Sequence, residues 1–154
     1  MIEIRDAGAM GLGVFATVAI PQNQWLGEYI GEIRPTNAPI DLNDPYTFVL
    51  GNDSPVCIIT SRDFGNWTRF INHACIPNVD VVDGMYGHRR AIVFRTTRAI
   101  AANEQLSIDY GPNYFSGFNM LCQCNSYNGP PHNHGGAVPP PAARKTGLFA
   151  PLGG

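Results

Sequence analysis

The residues with chemical reach are few. Tyrosines stand at 46, 110 and 114, an Asn72-His73 pair precedes Cys75, Cys122 and Cys124 bracket one residue, and Gly11 and Gly13 flank Leu12. A tyrosine joins an apolar face to one hydroxyl, so it can wall a channel while orienting a polar group. Glycines let a backbone approach a ligand that a Cβ would hold off. Each feature also has a plainer reading: a core tyrosine with a satisfied hydroxyl, a loop at Asn-His, a tight turn at Gly-Leu-Gly. Four cysteines in a chain of this length do not make a disulfide scaffold, and Cys57 reads as a buried strand residue.

The elements that must position these residues are short strands. Ile2–Arg5, Gly13–Thr17 and Trp25–Glu32 are β-rich runs separated by Gly or Pro. Tyr46–Leu50 and Val56–Ile59 flank Gly51-Asn52-Asp53-Ser54-Pro55, which predicts a hairpin, and Arg89–Arg95 predicts another strand. Arg62–Asn72 reads as a short helix or turn, and Ala99–Leu106 is too broken for a long one. The pattern predicts a mainly β domain of several small sheets with little helix.

Composition bounds the function. The 154 residues suit one domain, and 44% hydrophobic content supports a core. Ten basic against twelve acidic side chains give a net charge of −2, which lacks the basic footprint of a general nucleic-acid binder. No apolar run approaches a membrane span, and the N-terminus is not a secretory signal, so an intracellular protein is expected. Residues 129–154 hold six Gly and six Pro, 12 of 26, against 18 of 128 before them. That stretch is expected to be a flexible Pro/Gly-rich tail.

Four segments carry a resemblance: GLGVFATVAIPQNQWLGEYIGE (11–32), YTFVL (46–50), GNWTRFINHACIPN (65–78) and AIAANEQLSIDYGPNYF (99–115), followed by CQC at 122–124. In this order and spacing they resemble the SET-domain protein-lysine methyltransferases. The resemblance implies the SET fold over residues 1–117, small sheets around a knot-like crossing of the Asn72-His73 segment with the one ending at Tyr110. A partial post-SET segment would follow at 118–128. It implies S-adenosylmethionine as methyl donor and a lysine side chain as acceptor, entering from the opposite face through a narrow channel.

Residue by residue, the resemblance makes Tyr110 the catalytic tyrosine, with Tyr46 beside it, touching both cofactor and lysine channel. Met10, Gly11, Leu12, Gly13, Arg69, Phe70, Asn72, His73 and Leu121 join these two tyrosines as the cofactor-binding set. Ile108, Tyr114 and Phe115 fall to the substrate channel. Glu28 and Glu32 read as strand charges bracing Arg69 or another arginine. Family members carry Phe or Tyr at the position of Ile108, where a tyrosine can hold a water and limit transfer to one methyl. Isoleucine has no hydroxyl and less bulk, which implies di- or trimethylation.

The family's post-SET zinc site is incomplete here. Cys75, Cys122 and Cys124 match three ligands, while the fourth position is Gly129. Zinc held with His132 or His134 as substitute, and reduced thiols with no metal, both stay open. Lys145, the chain's one lysine, sits in AARKTG, which resembles the A-R-K-S surroundings of modified histone lysines. Automethylation or a pseudosubstrate role is one reading, and a solvated charge is the preferred one. The implied partner is a histone tail or another lysine-bearing protein, with a nuclear location, no direct nucleic acid and no membrane. The alternative is a SET-type scaffold or peptide-binding module without turnover.

Overall fold

A computed structural model describes residues 1–39, 44–51, 57–111, 114–124 and 126. The expected tail at 129–154, with Gly129, His132, His134 and Lys145, lies outside the described residues, as do positions 52–56 of the hairpin loop.

Among the described residues, ten short strands form four sheets. β1 (Ile2–Asp6) pairs antiparallel with β2 (Leu12–Ala16). β3 (Trp25–Glu28), β9 (Arg89–Thr96) and β8 (Val79–Tyr86) make a three-stranded sheet with β9 central. β4 (Glu32–Arg34), β6 (Cys57–Thr60) and β5 (Thr47–Leu50) make another, with β6 central. Last, β7 (Asn72–His73) lies parallel to β10 (Ser107–Ile108). The helical content of the described residues is 3-10 turns at Gly8–Met10 and Trp67–Phe70 and one α-turn, α1 (Tyr114–Gly117). This is the mainly β, helix-poor architecture that the strand pattern predicts. Among the described residues, no helix is long and apolar enough to cross a membrane.

The run expected as one strand at Trp25–Glu32 is two. Tyr29 turns inward, 2% exposed, and its hydroxyl donates to the Tyr46 carbonyl at 2.6 Å. Gly31 then passes so close to β6 that a Cβ there would stand 2.3 Å from the Thr60 carbonyl oxygen. β8 escaped the periodicity because Asp80, Asp83 and Gly84 dilute its valines. Those acids answer arginines of β9: Asp83 accepts from both Arg90 Nε and Nη2, and Asp80 lies 3.7 Å from Arg95. Glu28 pairs with Arg89 and Glu32 with Arg34, so each braces an arginine, as expected, and that arginine is not Arg69.

The main core gathers Val14, Ile20, Tyr29, Phe48, Ile71, Phe94, Leu106 and Ile108 from all four sheets. A satellite core holds Tyr114, Phe115, Cys122 and Cys124.

Candidate active site

Two chain segments meet where the site lies. Trp67–Phe70 is wound into its turn by Asn66, whose side chain accepts from the Thr68 amide. The chain then runs through Ile71 into β7. From the other side, residues 99–106 wrap along β2: Ala16 donates to the Glu104 carbonyl at 2.9 Å and Leu106 to that of Val14 at 2.8 Å. This delivers β10 alongside β7, in the register Ser107 to Asn72 and Ile108 to His73. Asn78, 2% exposed, clips the joint. Its amide donates to Glu104 and to the Gln105 carbonyl, and its oxygen accepts from the Ser107 amide.

The crossing grips Tyr110 at both ends. Its amide donates to His73 Nδ1 at 3.1 Å, and its hydroxyl donates to the Ile71 carbonyl at 2.8 Å. Burial pushes that hydroxyl above its usual range, so Tyr110 stands as a neutral phenol. Its donor is spent on Ile71, leaving oxygen lone pairs to accept.

Around Tyr110 opens a cleft of about 280 Å³. Tyr46, Ile108, Tyr114, Met10, Leu12 and Asn72 are among the residues that line it. Gly11, Arg69 and Phe70 line it as well. A second hollow of about 170 Å³ shares Met10, Asn72, Tyr110 and Tyr114, and is closed by His73, Phe115, Leu121 and the Cys122–Cys124 segment. Phe115 therefore faces this hollow, packed 4.8 Å from the His73 ring, and does not line the cleft with Tyr46 and Ile108. Tyr114 stands edge-on to Tyr110 at 4.5 Å, and burial raises its hydroxyl to about 12.

Tyr46 is oriented through its backbone. Its amide donates to Asp44 at 3.0 Å, and its carbonyl accepts from the Tyr29 hydroxyl and the Ser61 amide. Arg69 lies over the Tyr46 ring at 5.4 Å and over Phe70 at 4.9 Å, while donating to the Ser61 and Arg62 carbonyls. Its Nε is buried with no hydrogen-bond partner among the described residues. Asn72 donates to the Leu12 carbonyl at 2.9 Å, tying the glycine loop to the crossing.

The two glycines differ. Gly11 has φ +75° and open space where a Cβ would stand, so it is needed for its backbone conformation beside the cleft. At Gly13 a Cβ would stand 2.4 Å from Gln105 Nε2 and 2.9 Å from the Ala7 Cβ. Protein atoms occupy that space, so packing alone requires the missing Cβ at Gly13.

The three thiols converge under the satellite core. Cys75 and Cys122 sulfurs lie 3.8 Å apart, the Cys75 amide donates to Cys124 Sγ at 3.4 Å, and His73 Nε2 lies 3.4 Å from Cys75 Sγ. The ligand atoms of all four residues fall within 4.8 Å of one another. Tetrahedral zinc with Zn–S of about 2.3 Å spaces its sulfurs by about 3.8 Å, so the soft donor set fits such an ion. Burial raises the Cys122 thiol. At Cys124 burial acts the same way but is outweighed by hydrogen bonds from Ser126, the Cys75 amide and Cys122, which lower it. Cys57 stands on β6, outside this cluster.

A family model described as SET domain matches residues 11–111, about two-thirds of the chain. The chain belongs to the SET-domain family. It is 38% identical over 133 residues to histone-lysine N-methyltransferase EHMT1 of Homo sapiens, covering 81% of this chain and 10% of that protein. The H3 lysine-9 specific SUVH5 of Arabidopsis thaliana is 33% identical over 115 residues, 71% of this chain and 14% of its own length. Su(var)3-9 of Drosophila melanogaster is 31% identical over 124 residues, 71% of this chain and 20% of its own. The SET domain here thus spans a tenth to a fifth of these relatives.

Reading the sequence alone missed Tyr29 and Asn78, both buried, and Gln105, whose side chain packs against Gly13. Asn78 was visible only as the last letter of a motif, and nothing in residue type marks Tyr29 as the brace of Tyr46.

Proposed function

We propose that the chain is a protein-lysine N-methyltransferase, acting in the nucleus on a histone tail or a comparable lysine-bearing segment. The observation that carries this is the double grip on Tyr110 at the mouth of a tyrosine-walled cleft that also reaches the Met10–Leu12 loop and Asn72. S-adenosylmethionine, when bound, supplies an electrophilic methyl on a cationic sulfonium. The linked hollows suit an extended ligand, with Asn72, the Gly11 loop, Arg69, Phe70 and Leu121 at hand to hold it.

The residues of the chain do the rest. A lysine amine must be neutral to attack, and at pH 7 losing its proton costs about 3.4 pKa units, or roughly 4.6 kcal/mol. The rings of Tyr46, Tyr110 and Tyr114 replace water around the amine and favour its neutral form. The Tyr110 oxygen, fixed as an acceptor, orients the N–H bonds and aims the nitrogen lone pair away from itself. Ile108, 2% exposed and lining the same cleft, offers no hydroxyl to hold a competing water. This supports transfer of two or three methyl groups. The metal, if taken up, would sit on Cys75, Cys122 and Cys124 and shape the wall that carries Leu121.

The test is a methyl-transfer assay with S-adenosylmethionine on histones and arrayed lysine peptides, read by mass. Di- and trimethylated products are expected. Cofactor binding by calorimetry with no transfer to any peptide would replace this reading with a scaffold, and monomethyl product alone at full turnover would overturn the multiplicity.

A further inference from the structure

We propose that Ser61 is a positioning residue for methyl transfer, a buried node that fixes Tyr46 both by its backbone and by its ring face. The proposal rests on the methyltransferase reading, which gives the position of Tyr46 a use.

Ser61 directly follows β6 and is 0% exposed. It is not among the residues that line the cleft. Its polar atoms are nonetheless spent on the segments that carry those residues. Its amide donates to the Tyr46 carbonyl at 3.0 Å. Its carbonyl accepts from Arg69 Nη1 at 2.9 Å. Its hydroxyl donates to the carbonyl of Ile30, the neighbour of Tyr29. Tyr29, Tyr46 and Arg69 all line the cleft.

The three bonds converge on Tyr46. A carbonyl oxygen has two lone pairs to offer. At Tyr46 they meet the Ser61 amide and the Tyr29 hydroxyl, the latter at 2.6 Å. The Ser61 hydroxyl secures that second donor indirectly. By holding the Ile30 carbonyl it pins the segment on which Tyr29 stands. Gly31 closes the same junction, since a Cβ there would collide with the Thr60 carbonyl. On the ring side, the Ser61 carbonyl anchors the guanidinium that lies over the Tyr46 ring at 5.4 Å.

Burial makes the node stiff. With no exposed surface, Ser61 has no solvent to replace a lost partner. Its surroundings are tight: a Cβ at Gly65 would stand 2.9 Å from the Ser61 Cβ. A larger side chain has no room, whereas alanine fits and removes the hydroxyl alone. The Ile30 carbonyl then loses its donor, and the Tyr29 brace loosens. Methyl transfer depends on alignment of the amine with the methyl, so a small displacement of Tyr46 is felt in the rate.

The experiment uses the full chain. In Ser61→Ala, kcat for transfer to a lysine peptide should fall roughly tenfold, with peptide KM and cofactor affinity changed less than about threefold. Tyr29→Phe removes the hydroxyl at the far end of the same chain of bonds. If both act through one brace, the double variant should fall no further than Tyr29→Phe alone. Losses that multiply would mean independent roles and would overturn the proposal. So would an unchanged kcat in Ser61→Ala, or a loss confined to KM. A second readout needs no turnover. With tyrosine rings labelled with ¹³C, the Tyr46 signals should shift or broaden in both single variants. Tyr46 signals that stay put in Ser61→Ala would also overturn the proposal. A wild type that binds cofactor and methylates no peptide defeats the functional reading, and the Tyr46 signals still decide what Ser61 holds.

Discussion

Two regions border the same pair of hollows and are held by different forces. The crossing of Ile71–His73 with Ser107–Tyr110 is knitted by main-chain hydrogen bonds, by the Asn78 clip, and by burial of Ile71, Leu106 and Ile108 in the main core. The other wall, Tyr114–Cys124, is a satellite of two aromatic residues and two cysteines. Its backbone bonds from Phe118 to Tyr114 and from Met120 to Phe115 tie the segment to itself. Its ties to the crossing run through sulfur and rings: Cys75 amide to Cys124, Cys75 to Cys122, Phe115 on His73. Folding alone therefore builds the crossing, whereas the outer wall is built on groups that suit an ion.

The largest effect should come from the crossing. Tyr110→Phe removes one hydroxyl and keeps the ring packing. Turnover should fall by roughly 10²-fold or more, with cofactor affinity by calorimetry and melting temperature little changed. Activity within a few-fold of the wild type would mean that the grip on Tyr110 serves the fold alone.

Next is stability. Asn78→Ala strands the Ser107 amide and the Gln105 carbonyl in the interior, and should cost about 3 kcal/mol. A fall in melting temperature of roughly 10 °C is expected. A shift of only a degree or two would show that the crossing does not depend on this clip.

What the sequence disclosed follows the same division. Periodicity located β1, β2, β5, β6 and β9, because their charges alternate with apolar residues, as in β1, or flank an apolar run, as in β9. It failed at β8, where acids facing arginines of the neighbouring strand look like loop residues until the partner is known. β7 and β10 have two residues each and no periodicity to read. They were found only through motif resemblance, which also located Tyr110, Asn72 and Ile108. The neighbours that crowd Gly13 and the hollow that Phe115 lines are set by the three-dimensional packing and could not be read from the sequence. The proximity of His73 to Cys75 needed coordinates, although the two are only two positions apart.

The outer wall gives the third prediction. If metal organises it, stripping the protein with a chelator should raise amide hydrogen exchange across Tyr114–Cys124, while β8 and β9 keep their protection. Cys122→Ser should reproduce the change without chelator. Equal exchange with and without chelator would place both regions under folding control and remove the contrast.

The smallest effect tests the crossing through pH. Glu104 accepts from Arg98, from the Ala101 amide at 2.8 Å and from Asn78 at 3.1 Å, which braces the 99–106 wrap. Burial acts to raise its carboxyl, but those three donors outweigh it and hold the group below its ordinary value of 4.5. The folded state therefore binds this proton less readily than the unfolded chain, and stability gained from the charge is complete above pH 4.5. It drains away as pH falls through the lower folded value. Glu104→Gln removes this part while keeping the shape, at a cost of about 0.5–1 kcal/mol near neutrality in view of the exposed Arg98 partner. The gap in melting temperature between wild type and E104Q should be a few degrees at pH 7 and should close below the ordinary glutamate range. A gap unchanged by acid would assign the brace to shape and not to charge. Exchange at Tyr114–Cys124 should stay the same in both proteins, because the carboxylate supports the crossing and touches none of the thiols.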